Sequence, residues 1–217
     1  AYVETLNMLN NRTDDKFGAY GIEAEIIHIG DSPPYGVNFT PIVKPDEWQR
    51  PEEDLSELDK KQKRFWDTFR AKLRDRGLDK FARRSSSSGP SYHVTISDTD
   101  RTYIRPGISS QPAKMYVMIR VYDRNVVGNE PIEETFVQEV GETINKLDTQ
   151  LDRNVADEIE FRKTPDNDFD KIVLDYPDDA DIDKSENWDE YQRWLVDVTQ
   201  VFGSAVESLA NEGKITW

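Results

Sequence analysis

The stretch Met115-Tyr-Val-Met-Ile-Arg-Val-Tyr122 sets Met115, Val117, Ile119 and Val121 at alternate positions, with Tyr116, Met118, Arg120 and Tyr122 between them. Successive strand side chains point to opposite faces, so the alternation predicts a strand. Just upstream, Tyr92 to Ser97 and Arg101 to Arg105 share the β character, and a meander is the simplest way to connect the three. Just downstream, Ile132, Phe136, Val140, Ile144, Leu147 and Leu151 mark the buried stripe of a helix that begins near Pro131 and covers one sheet face. Glu158 to Arg162 and Lys171 to Tyr176 read as two more strands. Trp188, Tyr191, Leu195, Val198, Phe202 and Leu209 then lay out a long final helix.

Upstream of the meander, Glu52 to Arg76 predicts another helix: Leu55, Leu58, Phe65, Trp66, Phe69 and Leu73 follow helical spacing, while Lys60, Lys63, Arg64, Arg70 and Arg74 fall largely on other faces. The run Arg83-Arg-Ser-Ser-Ser-Ser-Gly-Pro90 has neither periodicity nor apolar content and predicts a mobile loop. Lys44-Pro-Asp-Glu-Trp-Gln-Arg-Pro51 is proline-flanked and precedes a change of charge, which places a boundary near Arg50. Before it, Val3, Leu6 and Leu9 suggest a short helix, and Ile22 to Ile29 and Asn38 to Val43 suggest two paired strands. The expected fold is α+β. A short helix-strand-strand segment over 1–50 is followed, over 51–217, by an α-βββ-α-ββ-α domain with a mainly antiparallel sheet.

The composition narrows the function classes. The 217 residues include no cysteine and only two histidines, His28 and His93, so a disulfide framework or a Cys/His zinc site is excluded and a reducing cytoplasm is expected. No apolar run reaches the roughly 18 residues of a membrane helix, and Ala1 to Asn11 lacks a basic segment leading into an apolar one. A formal charge of -15 repels polyanions at long range. Aspartate outnumbers glutamate and lysine is sparse, a balance that keeps a surface hydrated in strong salt, where charges are screened within about 3 Å at 1 M. That points to a salt-loving source.

Phe65-Trp-Asp-Thr-Phe-Arg70, Tyr116-Val-Met-Ile-Arg-Val-Tyr122 and the stretch from Trp188 through Trp194-Leu195 resemble the family called domain of unknown function 4268, found behind PD-(D/E)XK-like nuclease segments. The resemblance spans most of Leu55 to Leu209. Leu6 to Thr13, Gly21 to Ile26, Ile29 to Ser32 and Pro45 to Trp48 look like the closing helix and strands of such a segment. The resemblance implies that the acidic and lysine-bearing motif lies upstream of Ala1. Metal-dependent phosphodiester cleavage needs carboxylates that fix the metal and a group that orients water. The chain alone is therefore expected not to cleave, and no cofactor is expected.

Three constellations bear on function. Lys60, Lys63, Arg64, Arg70 and Arg74, continuing into Arg83 and Arg84, concentrate positive charge in an acidic chain. Arg101, Arg105 and Arg120 join them if the sheet packs alongside. Such a stripe can grip phosphates. The plainer reading, preferred for this stripe, is a solvated helix face whose cations pair with Asp67, Asp75, Asp79 and the acidic half of the chain. Asp179, Asp181, Asp183, Ser185, Asn187 and Glu190 have calcium-loop spacing, but Lys184 stands where the loop needs glycine. Acids at the N-terminus of the last helix, where they meet its dipole, are enough to explain them and are the preferred reading. Asp98 and Asp100 have no acidic-x-Lys partner in the following strand, which makes them turn caps rather than a nuclease site. Trp66, Trp188 and Trp194 read as core, and His28 and His93 as structural.

The expectation is a non-catalytic accessory module that positions nucleic acid or a partner subunit. The alternative is a homodimerisation or assembly module, built on an exposed sheet face or the last helix.

Overall fold

The computed structural model describes the backbone of 21–28 and 35–43, and residues 55–84, 86, 88–96, 103–110, 113–122, 132–163 and 169–215. The chain divides into two compact units, Ala1–Leu55 and Ser56–Trp217. In the first, β1 (Gly21–His28) and β2 (Tyr35–Val43) pair antiparallel, with Ile26 opposite Val37. The helix expected before them, and the aspartates at 98 and 100, lie outside the described residues.

The second unit is α+β. Helix α1 spans Glu57–Asp75, β3 is Val94–Thr95, β4 Tyr103–Ser110, β5 Ala113–Tyr122 and α2 Ile132–Leu147. Strands β6 (Glu160–Arg162) and β7 (Phe169–Asp175) follow, then α3 (Trp188–Asn211). All five strands pair antiparallel in the order β3-β4-β5-β7-β6. The first three form the meander that the sequence suggested.

Alternation along β5 does what the pattern requires. Met115, Val117 and Ile119 are buried, as are Ile104 and Ile108 on β4 and Ile172 and Leu174 on β7, and all belong to one core with the helices. Helix α3 lies at the middle of that core. Its Tyr191, Leu195, Val198, Phe202 and Leu209 are buried, and so are Val196, Val201, Ala205 and Val206 on its other sides. Gln192, Asp197 and Thr199 are buried as well, so most of the helix's circumference faces the interior. The expectation that α3 offers a face to another subunit is therefore corrected.

Several boundaries differ from expectation for identifiable reasons. Helix α1 starts at Glu57 rather than Glu52 because Ser56 and Asp59 form a reciprocal capping box, each side chain accepting from the other's backbone N–H at 3.1 Å. Leu58 is 44% exposed, not buried. Helix α2 stops at Leu147, followed by Asp148 at φ 46, so Leu151 packs half-buried on the core beyond the helix. Strand β4 continues through Pro106. Its carbonyl accepts from the Tyr92 N–H, so the missing N–H faces the same side, where the short β3 ladder has already ended. A single 3₁₀ turn at Ser185–Asn187 precedes α3, which begins at Trp188.

Described residues at the two ends of the serine-rich run, and just ahead of it, are held by side chains from elsewhere. Tyr92 Oη donates to the Arg84 carbonyl at 2.7 Å, Trp66 Nε1 to the Gly89 carbonyl at 2.9 Å and Arg70 Nε to the Ala82 carbonyl at 3.0 Å. Three buried or half-buried side chains thus satisfy the carbonyls of Ala82, Arg84 and Gly89. Among the described residues no helix is long and apolar enough to cross a membrane.

Candidate nucleic-acid interface

Helix α1 carries the stripe that the sequence singled out, and its helical period splits that stripe. Lys63, Arg70 and Arg74, spaced by seven and four, share one flank, and Lys61 and Lys72, eleven apart, share the other. The second flank is neutralised by carboxylates from the end of the chain. Lys61 pairs with Asp183, Lys72 with Asp189 at 2.6 Å and Arg76 with Asp197, and beyond the helix Lys80 meets Glu207 at 2.6 Å. Asp197 is 5% exposed, so its pairing with Arg76 is the least solvated of the four. Lys60 pairs within the helix to Glu57 at 3.0 Å. Arg64 and Arg74 are exposed on the outward side, and Arg83 is exposed after the helix. Ion pairing with the acidic half of the chain thus holds for Lys61, Lys72, Arg76 and Lys80, neighbours of the stripe residues Lys63, Arg64, Arg70 and Arg74. The partners belong to α3 and the turn before it rather than to Asp67, Asp75 and Asp79.

The calcium-loop residues do not converge. Asp181 Oδ1 accepts from the Asp183 N–H at 2.9 Å, Asp183 pairs with Lys61, Asn187 donates to Tyr191 Oη, and Glu190 accepts from Tyr176 Oη at 2.7 Å. Asp179 and Ser185 are exposed. The turn at Ser185–Asn187 aims these oxygens at separate partners instead of a common centre. Among the described residues no group of three acidic or histidine side chains could hold a metal ion. Asp189 and Glu190 instead occupy the first turn of α3, where carboxylates meet the helix dipole favourably.

A different set of cations gathers on the sheet. The positions of β4 and β5 that do not enter the core are Arg105, Gly107, Tyr116, Met118 and Arg120, and the side chains among them are half-buried. Register places Arg105 opposite Met118 and Gly107 opposite Tyr116. On the far side of β4, Ser91 bridges to Gly107 and Val94 pairs with Ile104, and at the same offset His93 falls opposite Arg105. Arg105 Nε donates to Ser91 Oγ at 2.9 Å, which fixes the guanidinium over this corner.

Tyr116 covers Gly107. A Cβ at Gly107 would stand 2.4 Å from Tyr116 Cζ and 2.7 Å from its Oη, so the strand needs glycine there for the ring to lie across it. Ser91, His93, Arg105, Tyr116 and Arg120 thus share one sheet face, with Arg84 close enough to act on His93.

The electrostatics of this corner are those of concentrated positive charge. Burial, then Arg105, Arg84 and Arg120, push His93 down to about 4. Burial, then Arg120, lowers Arg105 from its ordinary value, although a guanidinium stays charged at any working pH. Burial raises Tyr116; the two arginines oppose that rise and the Asp175 carboxylate adds to it. Beside Tyr116 the charge reverses: its register partner Asp175 on β7 binds Arg162 of β6 at 2.6 Å, and Arg162 also binds Glu160 at 2.8 Å.

Of the residues that the sequence proposed for nucleic acid, the structure brings Arg84 and Arg120 into this corner and leaves the α1 cations elsewhere. Arg105 entered the sequence reading only as an addition to the stripe, and His93, Ser91 and Tyr116 did not enter it as binding residues. Their alternation with the core positions was the available signal. No family model, curated protein or solved structure matches the chain.

Proposed function

We propose that the Ser56–Trp217 unit is an accessory nucleic-acid-binding module whose contact surface is the sheet face around Arg105, Arg120 and His93. In the setting that the sequence resemblance implies, it positions nucleic acid for a neighbouring nuclease-like part. The observation that carries the reading is the environment of Arg105: a half-buried guanidinium whose foremost charged neighbour is a second arginine. Holding like charges together in a partly desolvated place costs free energy, and a phosphate backbone is a ligand that relieves it. Guanidinium groups bind phosphate bidentately but do not exchange protons near neutrality, which suits positioning rather than acid–base chemistry. The acidic remainder of the chain limits this attraction to one patch, so binding depends on local contacts and weakens as salt rises.

The test is a map of backbone amide shifts on an isotope-labelled chain as a short oligonucleotide is added at low salt. The reading expects the largest shifts at Ser91–Val94, Arg105–Gly107 and Tyr116–Arg120. Shifts confined to α1 would contradict it. The assembly alternative predicts no oligonucleotide-dependent shifts and a mass that rises with concentration.

A further inference from the structure

The shape of the patch says which form of nucleic acid fits it. Neighbouring strands lie about 4.8 Å apart, so the five-stranded sheet is about 19 Å across, whereas the major groove of duplex DNA is about 12 Å wide. A helix or a two-stranded ribbon enters that groove, but a broad sheet face does not. The charged groups here also stand at sheet height: Arg105 is held down by Ser91, and Tyr116 lies across Gly107 instead of projecting outward. A duplex resting on such a face would offer only its outer phosphates. A single strand can lie flat, with phosphates at the arginines and a base on an aromatic ring.

The register supplies that arrangement. Tyr116 stands one diagonal step from Arg105, because Arg105 faces Met118, and Arg120 stands one diagonal step on the other side of Arg105. Diagonal neighbours across an antiparallel pair are about 7–8 Å apart. A ring therefore adjoins a line of two guanidinium groups, with the apolar Met118 beside them.

Resting on the nucleic-acid reading above, we propose that this face selects single-stranded over duplex nucleic acid, with Tyr116 as the stacking platform for a base and Arg105 and Arg120 as the phosphate contacts. Tyr116 is thus a specificity residue, distinct in role from the arginines. Gly107 is the residue that permits it, since any side chain there would displace the ring.

The experiment titrates the full chain against three labelled probes at low salt: oligothymidylate of roughly 12 nucleotides, an abasic strand of the same length, and the corresponding duplex. Oligothymidylate is expected to bind about 5- to 150-fold more tightly than the abasic strand, which keeps the phosphates and loses the bases. Tyr116→Leu, which keeps an apolar cover over Gly107, is expected to reduce oligothymidylate to the abasic level and leave abasic affinity unchanged. Tyr116→Phe, which keeps the ring and cannot lose the fold for want of cover, is expected to retain the preference. Equal affinity for oligothymidylate and the abasic strand overturns the stacking role and leaves the phosphate-binding reading standing. So does a duplex bound as tightly as the single strand, or a Tyr116→Phe variant that loses the preference. Failure to bind any of the three probes overturns both.

Discussion

Helix α1 and the outer face of β4 and β5 are both rich in cations, yet they treat their charge in opposite ways. Along α1, Lys61, Lys72 and Arg76 each meet a carboxylate contributed by α3 or the turn before it. On the sheet, Arg105 meets a serine hydroxyl and feels a second arginine. A count of positive residues along the sequence favours α1, where they are dense. The fold reverses that ranking, because it sets α3 and its acids beside the helix and brings arginines from separate strands together on the sheet. Cation density in sequence measures composition, whereas a binding surface depends on where the counter-charges land.

The largest effect on this comparison comes from removing what both regions stand on. Trp66 is fully buried, makes edge contacts with Phe65 and Phe69, stacks at a tilt on Tyr92 and donates to the Gly89 carbonyl. Trp66→Ala is expected to cost about 4 kcal/mol, read as a lowered midpoint in urea, and to loosen the segment that carries Ser91 and His93. Unchanged stability would mean that this core does not join the helix to the sheet.

Within the helix, Arg76→Ala leaves the nearly buried Asp197 carboxylate without its ion pair. The expected loss is about 2 kcal/mol by the same measurement. Asp197→Asn together with Arg76→Ala should recover part of it, because a neutral amide costs less to bury than a carboxylate. Failure of the double variant to recover anything would argue that the pair is not what stabilises the contact.

The sheet corner gives itself away through pH. His93 titrates at about 4 in the folded chain against an ordinary 6.5, so between those values the unfolded chain binds more protons than the native one. The corresponding stability is full above about 6.5 and is lost as pH falls toward 4, on the order of 1 kcal/mol after allowance for its partial exposure. His93→Gln is expected to flatten that part of the stability curve. A curve unchanged by the substitution would contradict the burial of His93 beside these arginines.

The smallest effect belongs to the solvated end of the helix–helix pairing. Lys80 and Glu207 are both partly exposed, and Lys80→Gln is expected to change stability by less than about 1 kcal/mol, and by less still in high salt. A loss as large as that of Arg76→Ala would show that the pairs act as one network.

Much of this fold was legible because burial imposes a period. Met115, Val117 and Ile119 announced β5, and Phe65, Trp66, Phe69 and Leu73 announced α1, since each set must face one core. Cooperation between distant segments was not legible. The composition of Arg83 to Pro90 does not reveal the hydrogen bonds at Arg84 and Gly89, because their donors are Tyr92 and Trp66. The site divides in the same way. Arg120 could be placed on the non-core side of its strand from alternation alone, but its grouping with Arg105 and His93 depends on strand register, which is set by pairing between segments. The acids from Asp179 to Glu190 suggested a metal loop through spacing alone, and their partners on α1 and β7's far end draw them apart.

The direct test is a salt series of fluorescence anisotropy with a labelled single-stranded oligonucleotide, run on the unaltered chain and two variants. One variant carries Arg105→Gln and Arg120→Gln, and the other carries Lys60→Gln, Lys63→Gln, Arg70→Gln and Arg74→Gln. For single strands each lost phosphate contact reduces the salt slope by about 0.7. The sheet variant is expected to bind weakly with a slope shallower by about 1.4, while the helix variant keeps the slope of the unaltered chain. A helix variant that loses binding while the sheet variant keeps it would contradict the account.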